Sequence, residues 1–182
     1  MNFVNKTVAL VLCAMAAATS PAWATDNVER AGDFLQVLVP VVGYGMTFYK
    51  GDDEGRTQFH KSFATTVGAT HLLKNTIDAK RPNGGGKSFP SGHTSAAFQG
   101  AAFIHARYGI EQAWPAYAAA AFVGYSRVDS DNHHTRDVIA GAALGIAASF
   151  YFTPERFGAK HAVIMPYADG KQVGVMWMRP LQ

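Results

Sequence analysis

The chain has 182 residues and a formal net charge of +3, a length that suits one domain with a real core. So small a positive excess, with no basic run interleaved with aromatic residues, excludes a nucleic-acid partner. The single cysteine, Cys13, excludes an internal disulfide and leaves the redox compartment undecided.

Lys6, the apolar run from Val8 to Ala18 and then Ala22-Trp23-Ala24 match a secretory leader with a small-x-small cleavage site. Residues 1–24 are therefore expected to be a signal peptide, with an uncleaved anchor as the alternative. Bulky Leu12 ahead of Cys13 argues against lipid attachment there. Residues 28–49 are strongly apolar, and Pro40, Gly43 and Gly45 are expected to bend them. Residues 51–55 read as a polar turn and 56–77 as a second helix. His60 and His71 on that helix share no ligand spacing, so they read as surface or satisfied core histidines.

The stretch 78–89 carries Gly84-Gly85-Gly86 and is expected to wrap a pocket, with Lys80 and Lys87 as solvated loop charges. Helices are expected over 91–108, 111–125 and 135–152. Ala118 to Ala121 on one of them, and Gly141, Ala142, Ala143 and Gly145 on another, allow close packing. Asp129 and Asp131 fall between these helices and read as solvated turn residues. Near the end, Asp169-Gly170 separates two β-prone runs, which is a hairpin signal. The expected fold class is all-α: a bundle of about five helices over residues 25–155, followed by a short C-terminal β-hairpin over 156–182.

Three pieces of sequence carry the chemistry. In Phe89-Pro90-Ser91-Gly92-His93, proline and glycine break the pattern just before an apolar helix, so Ser91, Gly92 and His93 should open that helix. A helix N-terminus offers unpaired N–H groups and partial positive charge, a natural seat for phosphate. Gly92 lets the backbone approach an anion, and Ser91 supplies a cap and a hydroxyl. In Ser126-Arg127, five residues, His133, three residues, Asp137, the last two lie four apart, on one helix face if the helix begins by His133. Asp137 can then fix the tautomer of His133 and leave its other nitrogen free to attack an electrophile. His134 has Val138 at the same offset, which cannot orient it. Lys74, Arg81 and Arg127 supply three cations suited to phosphoryl oxygens, and such a site needs no metal.

Taken together, Lys74 with Arg81-Pro82, Pro90-Ser91-Gly92-His93, and Ser126-Arg127 with His133 and Asp137 resemble the type 2 phosphatidic acid phosphatase superfamily. The resemblance spans most of the chain after residue 55, and three pieces in order with matching spacings make it specific. It implies a helical bundle with a pocket at one end. It implies that His133 attacks phosphorus to form a phosphohistidine, that Asp137 orients it, and that His93 protonates the leaving oxygen and later activates water. Lys74, Arg81, Ser91, Gly92 and Arg127 would hold the phosphoryl oxygens, with no cofactor.

The function expected is a metal-independent phosphatase acting on a phosphomonoester or pyrophosphate, with a lipid phosphate as the favoured substrate. A vanadium-dependent haloperoxidase, whose anion pocket is similar, and a non-catalytic membrane-associated binding protein are the alternatives. The uncharged stretches between Asp33 and Lys50 and between Lys61 and Lys74 fall short of the about 20 residues that a spanning helix needs. Mean hydropathy is −0.01, low for a polytopic protein. The expectation is therefore a secreted or periplasmic bundle touching a membrane surface between Val28 and Tyr49.

Overall fold

The computed structural model describes residues 24–154 together with the backbone of 163–168 and 173–178. The expected leader lies outside these residues. Five helices carry the fold: α1 (Ala24–Tyr49), α2 (Asp53–Thr76), α3 (Gly92–Tyr108), α4 (Ile110–Asp129) and α5 (Thr135–Phe152). The domain they form is all-α. Two short backbone segments, β1 (Val163–Ala168) and β2 (Val173–Met178), pair antiparallel. The Asp169-Gly170 turn lies outside the described residues, so the fold class rests on the helices.

α3 is the central element and packs against all four other helices. Its Ala97, Ala101, Ala102, Phe103 and Ile104 are all but inaccessible to solvent, as expected for a helix with small or apolar residues all round. Small residues let its neighbours come very close. A Cβ added to Gly145 of α5 would lie 2.4 Å from the Ser95 carbonyl oxygen, and one added to Gly141 would lie 2.5 Å from that of Ser91. The α3–α5 seam is thus a contact of backbone on backbone. It runs up to the Ser91 N–H, which donates to the Asp137 carbonyl at 2.9 Å.

Several boundaries differ from expectation for local reasons. α1 is helical straight through Pro40, and Gly100 of α3 packs against that point: a Cβ there would sit 2.6 Å from Pro40 Cα. Residues 53–55 belong to α2 rather than to a turn, because the Asp52 carboxylate caps the helix by accepting the Gly55 N–H at 2.9 Å. α4 continues to Asp129, so Ser126, Arg127 and Asp129 lie on a helix and not in a loop.

At the end of α3 away from its N-terminus, Asp52 is held in a buried clasp. Arg107 donates to it through Nε at 2.8 Å and Nη2 at 2.7 Å, and the Tyr108 hydroxyl donates at 2.9 Å. Burial alone would push the Asp52 carboxyl up, but these donors hold it below the usual carboxylate range.

α1 carries the stretch between Val28 and Tyr49 where membrane contact is expected. Its Asn27–Tyr49 portion, 23 residues with a mean hydropathy of 1.2, is long and apolar enough to cross a membrane. Leu35 and Val39 face the core, while Phe34, Val37, Val41 and Phe48 form an exposed apolar stripe on the other side.

Candidate active site

The N-terminus of α3, the C-terminal end of α4, the loop before α5 and the start of α1 converge on one open cleft of about 220 Å³. Glu29, Asp33, Arg81, His93, Arg127, Asn132 and His133 line it. Four of the eight residues singled out from the sequence therefore share one cavity wall. Ser91 caps α3, its Oγ accepting from the Thr94 hydroxyl at 2.9 Å and from the Thr94 N–H at 3.4 Å. A Cβ on Gly92 would lie 3.7 Å from Lys74 Cε, so the lysine stem passes directly over that glycine. The Lys74 ammonium donates to the Lys87 carbonyl at 2.9 Å.

His133 lies in the turn before α5, which starts at Thr135, so His133 and Asp137 do not share a helix face. That turn is fixed by the Asn132 and His133 N–H groups, both donating to the Arg127 carbonyl at 3.0 Å. Asp137, in the first turn of α5, is fully buried. Its Oδ2 stands 3.7 Å from His133 Nδ1, beyond direct hydrogen bonding. Ser88 occupies the space between them: its hydroxyl donates to Asp137 Oδ2 at 2.5 Å and lies 3.4 Å from His133 Nδ1.

This serine was missed in the sequence, although it immediately precedes Phe89-Pro90. With its one proton committed to the carboxylate, Ser88 Oγ can accept only from an Nδ1–H, which leaves His133 Nε2 as the free lone pair. Ser88→Ala is expected to lower kcat about 10²-fold with KM unchanged, because the imidazole loses its orientation rather than its contact with substrate. A KM change with kcat intact would show that Ser88 acts otherwise.

The electrostatics suit a neutral nucleophile beside an anion seat. Burial, then the Lys74 and Arg81 charges, push the His133 pKa down to about 4 against the pull of Asp137. Burial tends to raise the Asp137 carboxyl, yet the hydrogen bonds from Ser88 and from the His134 N–H at 3.0 Å hold it low. Its position in the first turn of α5 adds the favourable end of the helix dipole. Burial lowers the pKa of Lys74 and that of His93, with nearby arginines adding to both effects.

His134 caps α5 and points to the Lys80 carbonyl at 3.2 Å, away from the role of its neighbour. The glycine loop is pinned rather than free: the Asn83 N–H donates to the Asp131 carbonyl at 3.1 Å, and its side-chain amide to Asn132 Oδ1 at 3.2 Å. Among the described residues, no group of three or more His, Cys, Asp or Glu is placed to hold a metal ion.

Of the other lining side chains missed in the sequence, Asn132 comes from the loop before α5, and Glu29 and Asp33 come from α1. Arg127, 3% exposed, donates from Nη1 to Asp33 Oδ1 at 2.8 Å, from Nη2 to the Glu29 carbonyl at 2.8 Å and from Nε to Ser126 Oγ at 3.2 Å. His93 Nε2 lies 3.1 Å from the same Asp33 Oδ1. The one signal available was that Glu29 and Asp33 stand four apart at the start of an apolar helix, hence on one face.

The fold is a helical bundle whose cleft brings together two histidines and two arginines. Residues 53–158 match the PAP2 superfamily, and the chain belongs to that family. It is 39% identical over 129 residues to a lipid A 1-phosphatase of Porphyromonas gingivalis, covering 66% of this chain and 28% of that protein. It is 29% identical to the bacitracin transport permease protein BcrC of Bacillus licheniformis, covering 82% and 70% of the two chains. A transmembrane PAP2-type phosphatidylglycerolphosphate phosphatase from Bacillus subtilis superposes with a TM-score of 0.58 at 25% identity, covering 85% of this chain and 86% of that one. The chain spans 28%, 37% and 48% of the length of three curated phosphatase relatives that it matches.

Proposed function

We propose that this protein is a metal-independent phosphoric ester hydrolase that releases phosphate from a phosphomonoester or pyrophosphate, with a lipid phosphate as the substrate class. One observation carries the proposal: His133, backed by Ser88 and Asp137, shares a cleft with a second histidine and two arginines. The names of the relatives, which act on lipid phosphates, support the substrate class.

In this reading His133 Nε2 attacks phosphorus, the bond from phosphorus to the ester oxygen breaks, and His93 gives that oxygen its proton. His93, now neutral, takes a proton from water as the water oxygen attacks the phosphohistidine and the phosphorus–nitrogen bond breaks. Lys74, Arg81, Ser91, Gly92 and Arg127 hold the phosphoryl oxygens, whose charge grows at the transition state. The cations supply the stabilisation that a metal provides elsewhere. Residues 25–155 form the catalytic domain, with the C-terminal segment appended as a hairpin. The exposed stripe on α1 supports membrane association, and residues 1–24 support a place outside the cytoplasm.

The test is phosphate release by the purified protein on a panel of lipid and soluble phosphates in the presence of a chelator. Release should survive chelation, and loss with recovery on adding a divalent ion would end the metal-free reading. The pH profile of kcat/KM adds a signature of the two histidines. His133 must be neutral, so activity should fall as pH drops through about 4. His93 must be protonated, and burial and Arg127 keep its pKa below the ordinary value despite Asp33, so activity should also fall before neutrality is reached. A maximum on the alkaline side would contradict these assignments.

A further inference from the structure

Arg127 and His93 reach the cleft from different helices, yet both direct a donor nitrogen at one atom of a third helix. Asp33 Oδ1 is 2.8 Å from Arg127 Nη1 and 3.1 Å from His93 Nε2. These are the groups that, under the proposed function, hold a phosphoryl oxygen and protonate the leaving oxygen. We propose that Asp33 is a built-in competitor for the anion seat: its carboxylate occupies the position of a substrate oxygen in the free protein, and it sets the affinity of the site for phosphate.

Three features of the structure support this. First, Asp33 lies outside residues 53–158, the part that matches the family, so its presence in the cleft follows from how α1 packs in this chain. Second, each nitrogen of Arg127 already has a partner on α1 or on its own helix, so a ligand that takes Nη1 must share it with Asp33 or displace it. Third, the two ends of Asp33 differ in freedom. Its backbone is held where α1 touches α4, since a Cβ on adjacent Gly32 would overlap Ser126 Oγ. Its side chain is 47% exposed and can rotate out toward solvent. Displacement therefore needs a side-chain turn and no helix movement.

The inference rests on the hydrolase reading for its assay, but not for its binding measurement. The experiment compares the parent with Asp33→Asn and Asp33→Ser, reading inhibition of phosphate release by inorganic phosphate and the rise in melting temperature that phosphate causes. Both variants should bind inorganic phosphate about tenfold more tightly, with KM falling in parallel, the size of one charge-assisted contact removed from competition. Unchanged or weaker phosphate binding in the variants would overturn the proposal. So would a loss of kcat at unchanged phosphate affinity, which would make Asp33 a positioning residue for His93. A parent that is stabilised by phosphate yet releases none from any substrate would sink the hydrolase reading alone, and the melting shifts of the variants would still decide the role of Asp33.

Discussion

His133→Ala is expected to lower phosphate release by at least about 10⁴-fold, the largest effect of any single change in the protein. The imidazole faces Ser88 and Asp137, and neither nearby histidine stands in that position. His134 is turned toward the Lys80 carbonyl, and His93 Nε2 already faces Asp33. Phosphate should still bind, because Arg81 and Arg127 remain and the loss of a side chain that carries no charge at neutral pH leaves the anion seat intact. The measurement is turnover by parent and variant on the best substrate of the panel, with phosphate-induced stabilisation of the variant as the control for folding. Turnover above one-hundredth of the parent rate, on the order of what mispositioning alone costs, would place the nucleophile elsewhere.

The second large effect is on stability and lies at the opposite end of α3. Asp52→Ala removes one member of a buried ion pair, takes away the carboxylate that accepts from two Arg107 nitrogens and strips the N-cap of α2, so a loss of about 3–5 kcal/mol is expected. For a domain of this size that corresponds to a fall in melting temperature on the order of 10 °C. The pH dependence has a definite sign. The folded carboxyl titrates below its unfolded value, so its contribution is present above the unfolded pKa and is lost as pH falls through the folded one. Acid should therefore destabilise the parent more steeply than the variant. Equal acid sensitivity in both would mean that the clasp is already satisfied by other groups.

Much of this molecule was legible in the sequence, because its signals are local. Ser91 caps a helix and Thr135 starts one where proline, glycine and apolar runs said they should. The three motif pieces converge because each sits at or beside the end of a helix. Three things were not legible, for one physical reason: each depends on which helix packs against which. Ser88 reads as a loop serine until Asp137 is folded against it. Asp33 reads as a charge ending an apolar run until α1 lies across Arg127. Asp52 reads as part of a polar turn until Arg107 arrives from 55 positions away.

The glycine seam between α3 and α5 bears on how this site can change. Gly141 and Gly145 leave main chain lying against main chain, from Ser91 to Gln99, with no side chain between that could swell or shrink. The distance from the opening of α3, with His93, to the opening of α5, with His133 and Asp137, is thus set by atoms that every amino acid has in common. Substitutions elsewhere on either helix can alter what the cleft admits without altering how its two histidines are spaced. A site spaced in this way can diversify in substrate while its chemistry stays fixed.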